Sequence, residues 1–162
     1  MLKNVLHTYG INLWYAEALT KDLSADQMCQ QPHGVINHPA WSLGHLALSG
    51  HHLCQLIGAE SSLPEGWEEK FKAGTPPVDG SDANPTKDEL LKVHRQLHER
   101  ISQAVPKVDQ ATLDQPNPSE GVRAYFPTIG DQLIFMMTAH EMDHLGQMAA
   151  WRRAMGLKSA TP

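Results

Sequence analysis

Apolar residues along this chain recur at steps of three and four, the spacing of one helix face. Leu2, Leu6, Tyr9, Leu13 and Ala16 predict an amphipathic helix over residues 2–20. Residues 24–36 (SADQMCQQPHGVI) lose the pattern and read as a connection. Asn37 predicts an N-cap, with His38 and Pro39 in the first turn of a second helix that runs to about Ile57 and ends at Gly58. The stripe of that helix is His38, Trp41, His45, Leu48, His52 and Gln55, so three histidines share one face. Residues 59–85, rich in Gly, Pro, Ser and Glu, predict a long link holding a short helix near Trp67–Phe71. A link of that length crosses a bundle end or covers a site. Thr86 and Glu89 form a capping box for a third helix, with Leu90, Val93, Leu97, Ile101 and Ala104 inward and Pro106 closing it. After a polar loop over 106–127, Thr128 and Asp131 cap a fourth helix. Its face is Leu133, Met137, His140, His144, Gln147 and Trp151, and it stops at Gly156. Arg152 and Arg153 sit in its last turns, where the helix dipole favours cations.

Four long helices with no strand pattern and no internal repeat predict an all-α four-helix bundle. Its 162 residues suit one domain, 1–162, that can bury a core without staples. The net charge of −5 argues against a nucleic-acid partner, which calls for a basic stripe. No apolar run reaches membrane-spanning length, and the first residues show neither an apolar leader core nor a cleavage site. Those features, with two cysteines (Cys29 and Cys54) that nothing requires to pair, predict a cytoplasmic protein with free thiols.

The ten histidines carry the chemistry. His140-Glu141-Met142-Asp143-His144 places two imidazoles just over one turn apart, so both can grip one ion. Random placement in a chain of this composition gives roughly 0.03 such motifs. A zinc peptidase needs a third ligand downstream. The tail LGQMAAWRRAMGLKSATP offers no His, Asp, Glu or Cys, and Gln147 and Ala150 stand where the extended motif needs Gly and His. The third ligand therefore lies upstream. His7 is near the chain start, His33 is in a loop, and His98, beside Glu99 and Arg100, reads as solvated. His94 lies near the inward stripe of the third helix and is a weaker candidate, and His51 points away from the His45 face. His38, His45 and His52 are spaced too widely for more than one to join a single ion. His45 sits mid-helix at the height of the pair, beside Gly44, which lets a neighbour approach. His38 and His52 then read as core histidines or pocket lining.

Two segments, Trp41–Leu46 (WSLGHL) and residues 127–156 (PTIGDQLIFMMTAHEMDHLGQMAAWRRAMG), resemble the DinB/YfiT-like superfamily of metalloenzymes over about a quarter of the chain. The resemblance implies a four-helix bundle holding a divalent ion, nickel or zinc, on three histidines, which here are His45, His140 and His144. It also implies a homodimer and, from the better-understood relatives, a low-molecular-weight thiol as cosubstrate. The expected function is a metal-dependent hydrolase, or a thiol-dependent transferase or isomerase, acting on a small organic substrate. The alternative is a non-catalytic, stress-related metal-binding homodimer, whose ion would carry a fourth protein ligand, with His94 or Glu141 as the residues to inspect.

In the first reading, Glu141 is either a base beside the ion or a carboxylate that orients an imidazole. Asp143 reads as a solvated or salt-bridged face. Gln147 reaches the pocket or bonds between helices. Trp41 and Trp151 are pocket walls or core, and Cys54 points away from the ion.

Overall fold

A computed structural model describes residues 2–160. The chain is all-helical, with four long rods and short helical turns in the links. The elements are α1 (Leu2–Thr20), α2 (Ala25–Met28), α3 (Pro39–Leu56), α4 (Trp67–Phe71), α5 (Lys87–Ala104), α6 (Gln110–Leu113), α7 (Ile129–Phe135) and α8 (Glu141–Ala154). A π-helical turn, Met136–His140, joins α7 to α8, so the two form the fourth rod.

The capping boxes work as the sequence indicates. Thr86 accepts from the Glu89 amide while the Glu89 carboxylate accepts from Thr86, and Thr128 and Asp131 do the same for α7. Three local readings change. The cap of α3 is His38, whose Nδ1 accepts from the Trp41 amide at 3.0 Å. Asn37 instead donates to Gln147 at 3.1 Å and ties the start of α3 to α8. Residues 24–36 contain α2, opened by a Ser24/Gln27 capping box in which Gln replaces the expected Glu. The 106–127 loop contains α6, capped by Asp109.

α3 is the central rod. Pro39 to Gly50 is buried without a break, so all faces of this helix are covered rather than a single stripe. Its small residues allow that. A Cβ on Gly50 would lie 3.3 Å from Leu97 of α5, the helix against which α3 packs most extensively. His52, on the predicted stripe, is half exposed because it lies beyond this covered stretch.

The fourth rod departs from a straight α-wheel. The sequence stripe is His140, His144, Gln147 and Trp151, and burial after the π turn keeps His144 and Trp151 and adds the positions one residue on, Glu141, Leu145, Met148 and Arg152. A π turn takes in an extra residue, and the inward face after it is broader by one position. The turn is pinned from α1. Asn12, fully buried in place of the expected Leu13, donates to the Met137 carbonyl at 3.2 Å.

At the end of the rod, Arg152 is 3% exposed and is more than a dipole cation. It donates to the Leu19 carbonyl (2.8 Å), to both Asp22 carboxylate oxygens (2.6 and 2.9 Å) and to the Lys158 carbonyl, closing α1 and the tail onto α8. Removing it orphans buried carbonyls. Arg152→Ala is expected to lower unfolding stability by about 2–3 kcal/mol in urea denaturation. A loss under about 0.5 kcal/mol would show the clamp to be ornamental.

Candidate metal centre

Helix geometry delivers His140 from the end of the π turn and His144 one turn later from α8. α3 delivers His45 from across the bundle. One ring nitrogen from each of the three lies within 4.8 Å of the others. His45 Nε2 and His140 Nε2 are 3.4 Å apart, and the ring centroids of the trio are separated by 4.7–5.3 Å. The structure thus brings together the three residues that the sequence singled out, from positions 95 residues apart in the case of His45 and His140.

The local scaffold aims the His45 ring. His45 Nδ1 lies 2.8 Å from the Phe71 carbonyl. A carbonyl only accepts, so Nδ1 carries the proton and Nε2 presents its lone pair to the trio. That carbonyl comes from the last turn of α4, the short helix in the long link. α4 can reach His45 because residue 44 is glycine: a Cβ there would lie 2.5 Å from the Phe71 ring. Trp41, one turn before His45, stacks on it at 4.9 Å with 5° between planes, and its indole donates to Thr75. Nδ1 of His140 and Nδ1 of His144 are buried with no hydrogen-bond partner.

All three imidazoles are held neutral. Burial lowers the pKa of His45, against the pull of the Phe71 carbonyl. Burial, reinforced by His45, takes His140 down to about 4. Burial, with His45 and His140 beside it, takes His144 to about 4. Three neutral nitrogen donors on a common point, two of them on rings with an unsatisfied buried atom, fit a divalent ion of the borderline class, zinc and nickel included.

The remaining candidates fall elsewhere. Trp151 is core, and its indole donates to the Gln30 carbonyl. Gln147 bonds between helices, accepting from Asn37 and donating to Asp143. Asp143 is exposed. Cys29 and Cys54 are free and buried. Glu141 is not a base facing the trio. It is 3% exposed, and its Oε1 lies 3.1 Å from His94 Nε2 and 2.5 Å from His98 Nε2. Burial pushes its carboxyl pKa up, but those two imidazoles outweigh burial and hold it at about 2. His98, expected in solvent, is 2% exposed and stacks on Tyr9 at 3.6 Å. Its position four residues after His94 was the missed signal, a second pair at one-turn spacing obscured by the charged Glu99-Arg100 that follows it.

A model of the DinB superfamily matches residues 15–148, a span that includes all three histidines, and the chain belongs to that superfamily. No curated protein and no solved structure matches it. Among the described residues no helix is long and apolar enough to cross a membrane.

Gly44→Ala should push Phe71 aside and turn His45. We expect at least a tenfold weaker zinc affinity by competition with a chromophoric chelator, with the helical circular-dichroism signal retained. Unchanged affinity would disconnect α4 from the trio. The depressed histidines also fix a pH response for the metal-free protein. Their folded values near 4 lie below the ordinary 6.5, so the unfolded chain takes up protons first as pH falls. Stability should be full above pH 6.5 and decline between 6.5 and 4 in thermal unfolding. The double variant His140→Gln/His144→Gln should flatten that decline, and an unaltered slope would assign it to other groups.

Proposed function

We propose that this DinB-superfamily chain is a metal-dependent enzyme acting on a small organic substrate, with His45, His140 and His144 as the ligands of its ion. The convergence of three neutral imidazoles, with no fourth protein ligand among the described residues, carries this reading, since a catalytic ion keeps a coordination position free and a structural one does not. His94 and Glu141, which would close the site in a non-catalytic metal protein, are engaged with each other and with His98 instead.

The bound ion would supply Lewis acidity, sharpening a water or a thiol into a nucleophile near neutral pH. The chain supplies position and enclosure. The Phe71 carbonyl fixes the tautomer and plane of His45. Trp41 walls one side, 6.2 Å from His144 by ring centroids. It also lines an open groove of about 670 Å³ with Val35, Ile36, Asn37 and Thr75, which suits a small organic molecule. Phe135, 6.2 Å from His140 and packed on Phe126, walls the other side. Aromatic faces on two sides favour a substrate with an apolar part. With Glu141 committed to two imidazoles, no role as proton acceptor is assigned to it. A low-molecular-weight thiol as cosubstrate, nickel or zinc as the ion and a homodimeric assembly complete the reading.

The test uses cobalt-substituted protein. Adding a small thiol should shift its visible absorption, because the thiolate enters the free position, and His144→Ala should lose that thiol-responsive signal. The zinc- or nickel-loaded protein should also turn over at least one member of a panel of esters, epoxides and other electrophiles, with or without thiol. That turnover should stop on chelation. A cobalt spectrum indifferent to thiol, azide and imidazole, together with no turnover, would identify a closed, non-catalytic site.

A further inference from the structure

The chain contains a second His-x-x-x-His pair that the proposed centre does not use. His94 and His98 lie one turn apart on α5 and face inward, and Glu141 meets them from the opposing rod. The arrangement repeats the logic of the first trio, with two imidazoles from one helix completed by one donor from another. The three ligand-type atoms lie within 4.8 Å of one another. The residues are 1%, 2% and 3% exposed.

We propose that His94, His98 and Glu141 form a second divalent-cation site, fully enclosed and adjoining the first. Three observations carry it. The donor set, two imidazoles and a carboxylate, is one that zinc and ferrous ions use. Among the described residues no Lys or Arg pairs with Glu141, whose only ionic partners are the two histidines. A carboxylate this deeply buried calls for a balancing cation. Finally, Glu141 Oε2 and His94 Nδ1 are buried without hydrogen-bond partners, so two hydrogen bonds to Oε1 leave the cluster unsatisfied.

Its surroundings are built for rigidity. Tyr9 lies parallel to the His98 ring, with 10° between planes. A cavity of about 10 Å³ bounded by Tyr9, Leu53, Met136, His140 and Glu141 lies between the two trios, with room for about one water as a further ligand. Because Glu141 follows His140 directly, the π turn that sets one residue sets the other. The site is independent of whether the first centre is catalytic.

Metal content decides it. Protein purified without added metal, incubated with excess zinc and desalted, should hold about two equivalents per chain by elemental analysis. His98→Ala and the isosteric Glu141→Gln should each hold about one, His144→Ala about one, and Glu141→Gln/His144→Ala none. A Glu141→Gln protein that keeps the wild-type content overturns the proposal, as does a wild type that holds no metal. The cluster is then a hydrogen-bonded tie between α5 and α8. If His98→Ala fails to fold, the Glu141→Gln protein, checked for an unchanged helical spectrum, gives the answer. Failure of the first centre reads differently: content would be unchanged in His144→Ala and reduced in Glu141→Gln.

Discussion

Buried imidazoles need partners, and the interior of this bundle is organised around that need. Four histidines and one glutamate (His45, His94, His98, His144 and Glu141) are buried, where water cannot satisfy them, and His140 is half-buried beside them. Main-chain partners account for little: the Phe71 carbonyl takes one nitrogen of His45. The rest of the polar capacity points at other imidazoles, at a single carboxylate, or at no partner, as for Nδ1 of His94, His140 and His144. Such an interior is costly for a protein that only has to fold, since apolar residues of similar size would pack without orphaned atoms. That cost is the physical reason to connect the cluster with ions and chemistry instead of with stability.

Elements far from the trio exist in forms that make sense only through it. α4 is a single short helix inside a Gly- and Pro-rich link, yet it supplies the carbonyl that sets the tautomer of His45. Gly44 is the gap that admits it. The π turn would be a defect in an ordinary helix. Here it brings His140 to the trio and Glu141 to α5, with Asn12 fixing the carbonyl of Met137. The Asn37–Gln147 bond anchors the same rod to the start of α3 beyond the site, and Arg152 anchors it to α1.

The two trios differ in a way that matters for chemistry. His140 is half-buried, and Trp41, stacked on His45, lines a groove open to solvent, whereas His94, His98 and Glu141 are sealed. An ion at the first could exchange ligands with a substrate. An ion at the second would tune charge and hold helices, because its three residues are almost wholly buried.

The sequence by itself determined the four rods, two of the capping boxes, the short helix at Trp67–Phe71 and the facing pair His140 and His144, while the choice of His45 to meet that pair leaned on the family resemblance. Apart from that choice, these rest on local rules, namely the helical period, side chains reaching back to nearby amides, and the one-turn spacing that puts two imidazoles on one face. Tertiary structure decided the rest. Whether His98 faces water or the core depends on which side of α5 meets α1 and α8, and the charged residues beside it hid the answer. Whether Glu141 serves the trio or the opposing helix depends on a π turn, and an α-period wheel cannot show an inserted residue. His38 took the cap from Asn37 because Asn37 found a partner 110 residues away. In each case the chain's local preferences were nearly balanced, and contacts between distant segments, which no local pattern encodes, tipped them.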